Sequence, residues 1–296
     1  MTESNPKDKW TQWLLERRHG GDEALHRRML AWLEPMRDKV LEHASLAGDE
    51  TLLDVGCGDG LIGFGALNSL PDGKVIFSDI SQDLLTHTQA LAAEMGVDVS
   101  ARCDFVQADA ATLEPFGDAS VDVVTTRSVL IYVKDKRAAF ESFYRVLKQG
   151  GTFSLFEPIN SFGHPQPPHL FYGFDASPVQ ELAEKVKAIY QAIQPDDDPM
   201  LDFDERDLIR FAEEAGFREV NLELVASITP FRASEMPDWD SMLNTAPNPL
   251  VPTLREAVQQ ALTADEQPRF LNYMRKQVEA GNGQSRRAVA YLWGEK

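Results

Sequence analysis

Apolar residues in this chain gather into short runs closed by an acid or a glycine, and longer stretches of helical spacing lie between them. Leu52, Leu53 and Val55 surround one carboxylate, Asp54, in a run too short for a helix. That pattern predicts a buried strand of a parallel sheet. Further strands are expected at Lys74–Asp79, 102–109 and 121–126, and from the Gly150-Gly151 turn to Glu157. Val220, Leu222, Leu224 and Ala226 alternate as a sixth strand, and 288–293 closes the sheet. Leu61, Ile62, Phe64, Ala66 and Leu67 predict the first helix packed on that sheet. A second helix is expected at 179–193 and a third at 204–216, the latter with an Asp start and a Gly stop. Strands alternating with helices predict an α/β fold.

The segment 52–65 carries the chemistry. Gly56, Gly58 and Gly60 follow the first strand, where glycine lets the backbone turn tightly and approach a ligand. A strand, a glycine turn and a helix N-terminus make a nucleotide site. Two readings of it stand side by side. Gly58, Gly60 and Gly63 fit the dinucleotide pattern G-x-G-x-x-G, with Asp79 near the position of its ribose acid. On that reading the chain is an NAD-binding oxidoreductase. The second reading adds Asp54, because a carboxylate at the end of a buried strand is costly unless a loop amide or a bound ammonium satisfies it.

Asp54 with Gly56, Gly58 and Gly60 resembles the first motif of the class I S-adenosylmethionine-dependent methyltransferases. The later landmarks resemble the same family, in order: Asp79 closing the second strand, Asp109-Ala110 closing the third, Arg127-Ser128 after the fourth, then R-V-L-K-Q-G-G at 145–151. The resemblance spans about 51–158 and extends more loosely to the C-terminus. It implies a doubly wound Rossmann-like sheet of seven strands, six parallel and the last antiparallel. It also implies S-adenosylmethionine as cofactor, with Asp79 holding the ribose hydroxyls and Asp109-Ala110 receiving the adenine. The implied cofactor set is Asp54, Gly56, Cys57, Gly58, Gly60, Asp79, Ile80, Asp109, Ala110, Arg127 and Ser128.

Residues 1–50 look helical, with Trp10, Trp13 and Leu14 on one face, a break at Gly20-Gly21, and Pro35 as a kink or restart. In related enzymes such a segment covers the cofactor. The domain proper is then 51–296, with insertions at about 159–200 and 230–285. The first insertion opens on a stretch rich in proline and aromatic rings, where substrate would meet the cofactor's methyl group. The second is loop-rich over 230–252 and helical over 254–278.

The formal charge is −18, from 47 acids against 29 bases, and such a surface repels phosphate backbones and anionic lipid. The basic clusters are pairs such as Arg17-Arg18 and Arg286-Arg287. No nucleic-acid or membrane partner is expected, and the substrate is expected to be a small molecule, the chain a monomer or homodimer. Cys57 and Cys103 are the only cysteines. Neither a disulfide framework nor a metal site follows, and with no signal peptide the expected compartment is the cytoplasm.

Methyl transfer from a sulfonium is an in-line displacement, so the protein chiefly aligns the two partners and excludes water. A general base is needed only where the acceptor must lose a proton early. His164 and His169 in the aromatic loop are the first candidates, with Tyr132 as a cofactor-covering ring. Tyr172 and Glu157 also stand near the expected pocket. The expected acceptor is small and apolar or aromatic, methylated on O, C, S or N. The stretch 121–135 also resembles arsenite methyltransferases, but their thiolate ligands have no counterpart outside the core strands and turns here. A cofactor-binding protein without methyl transfer is the remaining reading.

Overall fold

Residues 7–20, 22–195 and 197–296 are described by the computed structural model, so Gly21 of the expected Gly20-Gly21 break lies outside them. The chain divides into two units. One comprises Leu30–Ile159, Phe203–Val225 and Val289–Lys296; the other comprises the residues up to Met29, Asn160–Asp202 and Ala226–Ala288.

The first unit is built on a seven-stranded sheet. In chain order its strands begin with β1 Thr51–Val55, β2 Lys74–Asp79, β3 Cys103–Gln107, β4 Val121–Arg127 and β5 Leu147–Pro158. A two-residue hairpin of the other unit, β6 Leu170–Phe171 and β7 Phe174–Asp175, comes next, then β8 Arg218–Pro230 and β9 Gln284–Glu295. The order across the sheet is β3-β2-β1-β4-β5-β9-β8. β1 to β5 pair in parallel, and β9 runs antiparallel to β5. This is the α/β fold expected from the alternating pattern and the doubly wound sheet that the resemblance implies. Its central strands are apolar throughout because both faces are covered: Leu52, Leu53 and Val55 are all buried.

The Gly150-Gly151 pair departs from expectation. It lies inside β5, which begins at Leu147, and the pairing with β4 slips between Val121 and Val123. Gly150 takes a φ of 77° and donates its N–H to Lys296 O, while Lys296 N donates to Gly151 O. Two steps on β4 face five on β5 here, and a glycine at positive φ accommodates the irregularity, so the strand continues through it.

The helix Leu61–Ala66 packs on β2 so closely that Gly63 has no room for a Cβ, which would fall within the Phe77 ring. Phe77 is itself fully buried and stacked on Phe105 at 5.2 Å, so it has nowhere to retreat. Gly63→Ala should therefore destabilise the protein by about 1–3 kcal/mol through overpacking. Helix propensity alone would favour alanine by up to ~1 kcal/mol, so the sign of the change in a urea midpoint shows which effect wins.

The helix Glu23–Ala44 runs through Pro35 without a restart. On its first-unit stretch Leu33, Met36 and Val40 are buried with Ile62, Phe156 and Tyr291, and packing on both sides of the proline keeps the helix whole. The helix Glu205–Ala215 has the expected ends: Asp204 and Asp207 form a capping box, and Gly216 closes it in the left-handed region.

The second unit has its own apolar core, in which Phe171, Phe174, Leu182, Trp239, Leu254 and Phe270 pack together. The stretch 254–278, expected as one helical run, is two helices, Leu254–Ala261 and Glu266–Ala280. The Glu266 carboxylate takes the Thr263 N–H and starts the second one. The loop-rich stretch 230–252 also holds a helix, Trp239–Asn244, capped by Asp238. The N-terminal turns Lys9–Gln12 and Trp13–Arg17 belong to this unit: Trp13 Nε1 donates to Ala246 O, and Ala246 N donates to Arg17 O.

Candidate functional site

At the carboxyl end of β1 the chain passes through three glycines at positive φ: Gly56 (65°), Gly58 (57°) and Gly60 (84°). A Cβ on Gly56 would strike Val129, and one on Gly60 would strike Phe64. The turn is held to its neighbours by backbone bonds, Cys57 N to Ser78 O at 2.9 Å and Gly60 N to Cys57 O at 2.8 Å. The Thr88 hydroxyl donates to Gly58 O at 2.7 Å. Cys57 adds a long contact from its Sγ to Gly58 O at 3.9 Å; its side chain packs with Leu52, Ala66 and Leu67, and burial pushes its thiol up.

Asp79, 7% exposed at the end of β2, reaches back to this turn. Its Oδ2 accepts from Gly58 N at 3.0 Å and its Oδ1 from Ser81 N at 2.9 Å. Those bonds aim the carboxylate at the end of β2. Beside it Ile80 is 50% exposed, an apolar surface at the mouth of an otherwise polar turn. Asp109 uses Oδ1 to take the Ala111 N–H at 2.8 Å, rounding the chain past buried Ala110. The cradle thus offers glycine backbone, an aimed carboxylate and an apolar shelf, the donor set a nucleoside needs.

Asp54 has another task. It is buried, with Oδ2 accepting from Gly63 N at 3.0 Å and Oδ1 from the Thr125 hydroxyl at 3.1 Å. Of the two partners the sequence left open, a loop amide or a ligand's ammonium, the structure supplies the amide. Asp54 therefore ties the glycine-turn helix and β4 to β1. Burial raises its pKa to about 7, opposed by those bonds and by Arg127.

Glu157 is the residue whose role the sequence did not disclose. Fully buried at the end of β5, it gathers three consecutive amides: Val129 N at 2.9 Å and Leu130 N at 3.0 Å on Oε1, and Ile131 N at 3.3 Å on Oε2. These open the single turn Leu130–Tyr132 and fix the loop after β4, including Ser128 at a φ of 55°. Burial again dominates and puts the Glu157 pKa at about 7, with the amides and Arg127 pulling it down. A carboxyl that titrates higher folded than unfolded binds more protons when folded, so its contribution to stability falls as pH rises from about 4.5 to about 7. Glu157→Gln should remove that part of the slope. Urea titrations of both proteins across the window check this: parallel curves would show that Glu157 does not titrate there.

A methyltransferase-domain family model matches residues 53–155, the stretch that holds every element of this cradle. The chain carries a class I, S-adenosylmethionine-dependent methyltransferase domain. An uncharacterised methyltransferase of Schizosaccharomyces pombe is 34% identical over 124 residues, 41% of this chain and 44% of that protein. The ubiquinone/menaquinone biosynthesis C-methyltransferase of Xylella fastidiosa is 32% identical over 158 residues, 49% of this chain and 61% of that protein. The match thus spans less than two thirds of either relative. Among solved structures, Haemonchus contortus phosphoethanolamine N-methyltransferase 2 in complex with S-adenosyl-L-methionine shares the fold at a TM-score of 0.51 and 17% identity, over 88% of this chain and 52% of that one.

The three candidate catalytic residues have separate surroundings. Tyr132 ends the turn that Glu157 holds. His164, in the other unit, lines a cavity of about 380 Å³ with Tyr172 and Tyr190. Its side chain stands exposed at the rim, yet surrounding protein still pushes its imidazole below 6.5. His169 does not line that cavity; it is exposed near Asp175, and its carbonyl accepts from Ala176 N at 2.7 Å. Among the described residues no cluster of His, Cys, Asp or Glu could hold a metal ion, and no helix is long and apolar enough to cross a membrane.

Proposed function

We propose that this chain transfers the methyl group of S-adenosylmethionine to a small acceptor of apolar or aromatic character. The observation that carries the reading is the cradle of Gly56, Gly58 and Gly60 with the aimed Asp79 carboxylate beside exposed Ile80. On this reading Asp79 receives the ribose hydroxyls, Ile80 and the 109–110 turn receive the adenine, and the glycine backbone passes under the amino-acid part. Arg127, half-buried and electrostatically coupled to both Asp54 and Glu157, is the cation facing the sulfonium's carboxylate tail. Bound there, the sulfonium supplies an already activated methyl group, so the chain's own task is to bind, align and keep water out.

The relatives' printed names cover a C-methylation in ubiquinone/menaquinone biosynthesis and a phosphoethanolamine N-methylation. The aromatic loop and the chain's net charge of −18 favour the uncharged, ring-like kind of acceptor. Where that acceptor must lose a proton, His164 is the base: its lowered pKa keeps it unprotonated at neutral pH. Both cysteines are unpaired thiols, in keeping with work in a reducing cytoplasm. Calorimetry with S-adenosylmethionine and with NAD tests the cofactor assignment. Binding of the sulfonium alone is expected; tight binding of NAD alone would restore the oxidoreductase reading. Release of S-adenosylhomocysteine with an acceptor separates a transferase from a silent binder.

A further inference from the structure

We infer that Glu157 is a positioning residue for the amino-acid end of S-adenosylmethionine: it holds Val129 against Gly56, and Val129 keeps the glycine turn in the shape that receives the cofactor. That the amino-acid part lies over this turn rests on the function proposed above.

The glycine turn is tied to β2 by hydrogen bonds. Cys57 N donates to Ser78 O at 2.9 Å, and Gly58 N donates to Asp79 Oδ2 at 3.0 Å. Toward β4 its neighbour is a side chain. The isopropyl group of Val129 fills the space that a Cβ on Gly56 would occupy, with Cβ and both methyls against it. Gly56 sits at a φ of 65°, so a left-handed backbone and a close approach both require glycine there. Interiors hold few voids, so a side chain packed this closely passes its own displacement on to the turn.

Val129 lies between regular elements. It follows Ser128, a non-glycine residue at a φ of 55°, and precedes the single turn Leu130–Tyr132. Backbone in that region persists only where its surroundings over-determine it. Two contacts from β5 do so here. Ser128 N donates to Phe156 O at 2.9 Å, which continues the pairing of the two strands by one step. The next residue of β5 is Glu157, which takes the amides of Val129, Leu130 and Ile131 at 2.9, 3.0 and 3.3 Å. Three consecutive amides reach one carboxyl group only when the chain curls around it, so the position of Val129 is set by Glu157.

These bonds also satisfy amides of buried residues, a service that any acceptor gives to any loop. What joins them to the cofactor is where the loop lands. It opens from Arg127, the last residue of β4, and seats Val129 on the turn that follows β1. One carboxyl group on β5 thereby fixes the approach to the amino-acid end, while Asp79 on β2 acts at the ribose end. Binding to a turn held in place beforehand avoids the cost of ordering it when the ligand arrives.

Calorimetry on the full chain tests this with S-adenosylhomocysteine and with 5′-methylthioadenosine, which keeps the nucleoside and the sulfur but has no amino-acid tail. The wild type should bind S-adenosylhomocysteine the more tightly. Glu157→Gln keeps one acceptor oxygen and sets an NH₂ group against the remaining loop amide. It should weaken S-adenosylhomocysteine about threefold to tenfold, the cost of ordering one or two loosened side chains on binding, and leave methylthioadenosine within about twofold. Val129→Ala should show the same selective loss with Glu157 intact, and it carries the test should Glu157→Gln fail to fold. A residue that only supported the fold would affect both compounds alike or neither. The inference is overturned by that result in either folded variant, or by a Val129→Ala protein that binds S-adenosylhomocysteine as the wild type does. A wild type that binds neither compound would refute the proposed function and this inference with it. A wild type that binds both, with variants that do not distinguish them, would refute the inference alone.

Discussion

Asp79→Ala should weaken S-adenosylmethionine binding by about 30- to 1,000-fold, equivalent to about 2–4 kcal/mol. Each bond from a ribose hydroxyl to a charged acceptor is worth ~1.5–3 kcal/mol, and two on one carboxylate are not additive. The same carboxylate also holds Gly58 N and Ser81 N, so the alanine loosens the glycine turn as well as losing the ribose. Asp79→Asn keeps one acceptor and should fall between the two. Thermal unfolding measured alongside separates the parts, because a turn defect lowers stability without ligand and a ribose defect does not. Affinity that stays within a factor of three in Asp79→Ala would remove this residue from the cofactor site.

The second large effect concerns turnover. With a hydroxyl or acidic-carbon acceptor, His164→Ala should lower kcat by about 10²–10⁴-fold with cofactor affinity nearly unchanged. The imidazole lies below 6.5 because the protein around it displaces water from its charged form, so it is unprotonated at neutral pH. The wild-type kcat should accordingly fall only as pH drops through that lowered value, and the alanine variant should lose this acid limb. His169→Ala should have the smaller effect, since His169 stands outside the cavity that His164 lines. With a thiol acceptor, which needs little help to ionise, both variants should stay within about tenfold of wild type. An unimpaired His164→Ala acting on a hydroxyl acceptor would end its candidacy.

The sequence by itself determined the scaffold and the glycine turn after β1. A buried parallel strand must be apolar on both faces, and a tight turn at positive φ favours glycine, so 52–60 was legible without coordinates. Asp79 and the 109–110 turn were singled out by the resemblance of successive strand ends to a known family, and the Asp204 start and Gly216 stop of one helix are local capping chemistry. What the sequence left open depends on partners distant in the chain. Asp54 was ambiguous between an amide and a ligand until Gly63 N and Thr125 were seen beside it. Glu157 had no account because its three amides lie 26 to 28 residues away, across two paired strands. Gly150-Gly151 looked like a turn because a bulge is defined by the neighbouring strand's register, which no local pattern records. The cavity beside His164 is assembled from stretches near 165, 190, 200 and 250. Only the tertiary structure joins those walls, because burial and hydrogen bonding between remote residues have no spacing in the sequence.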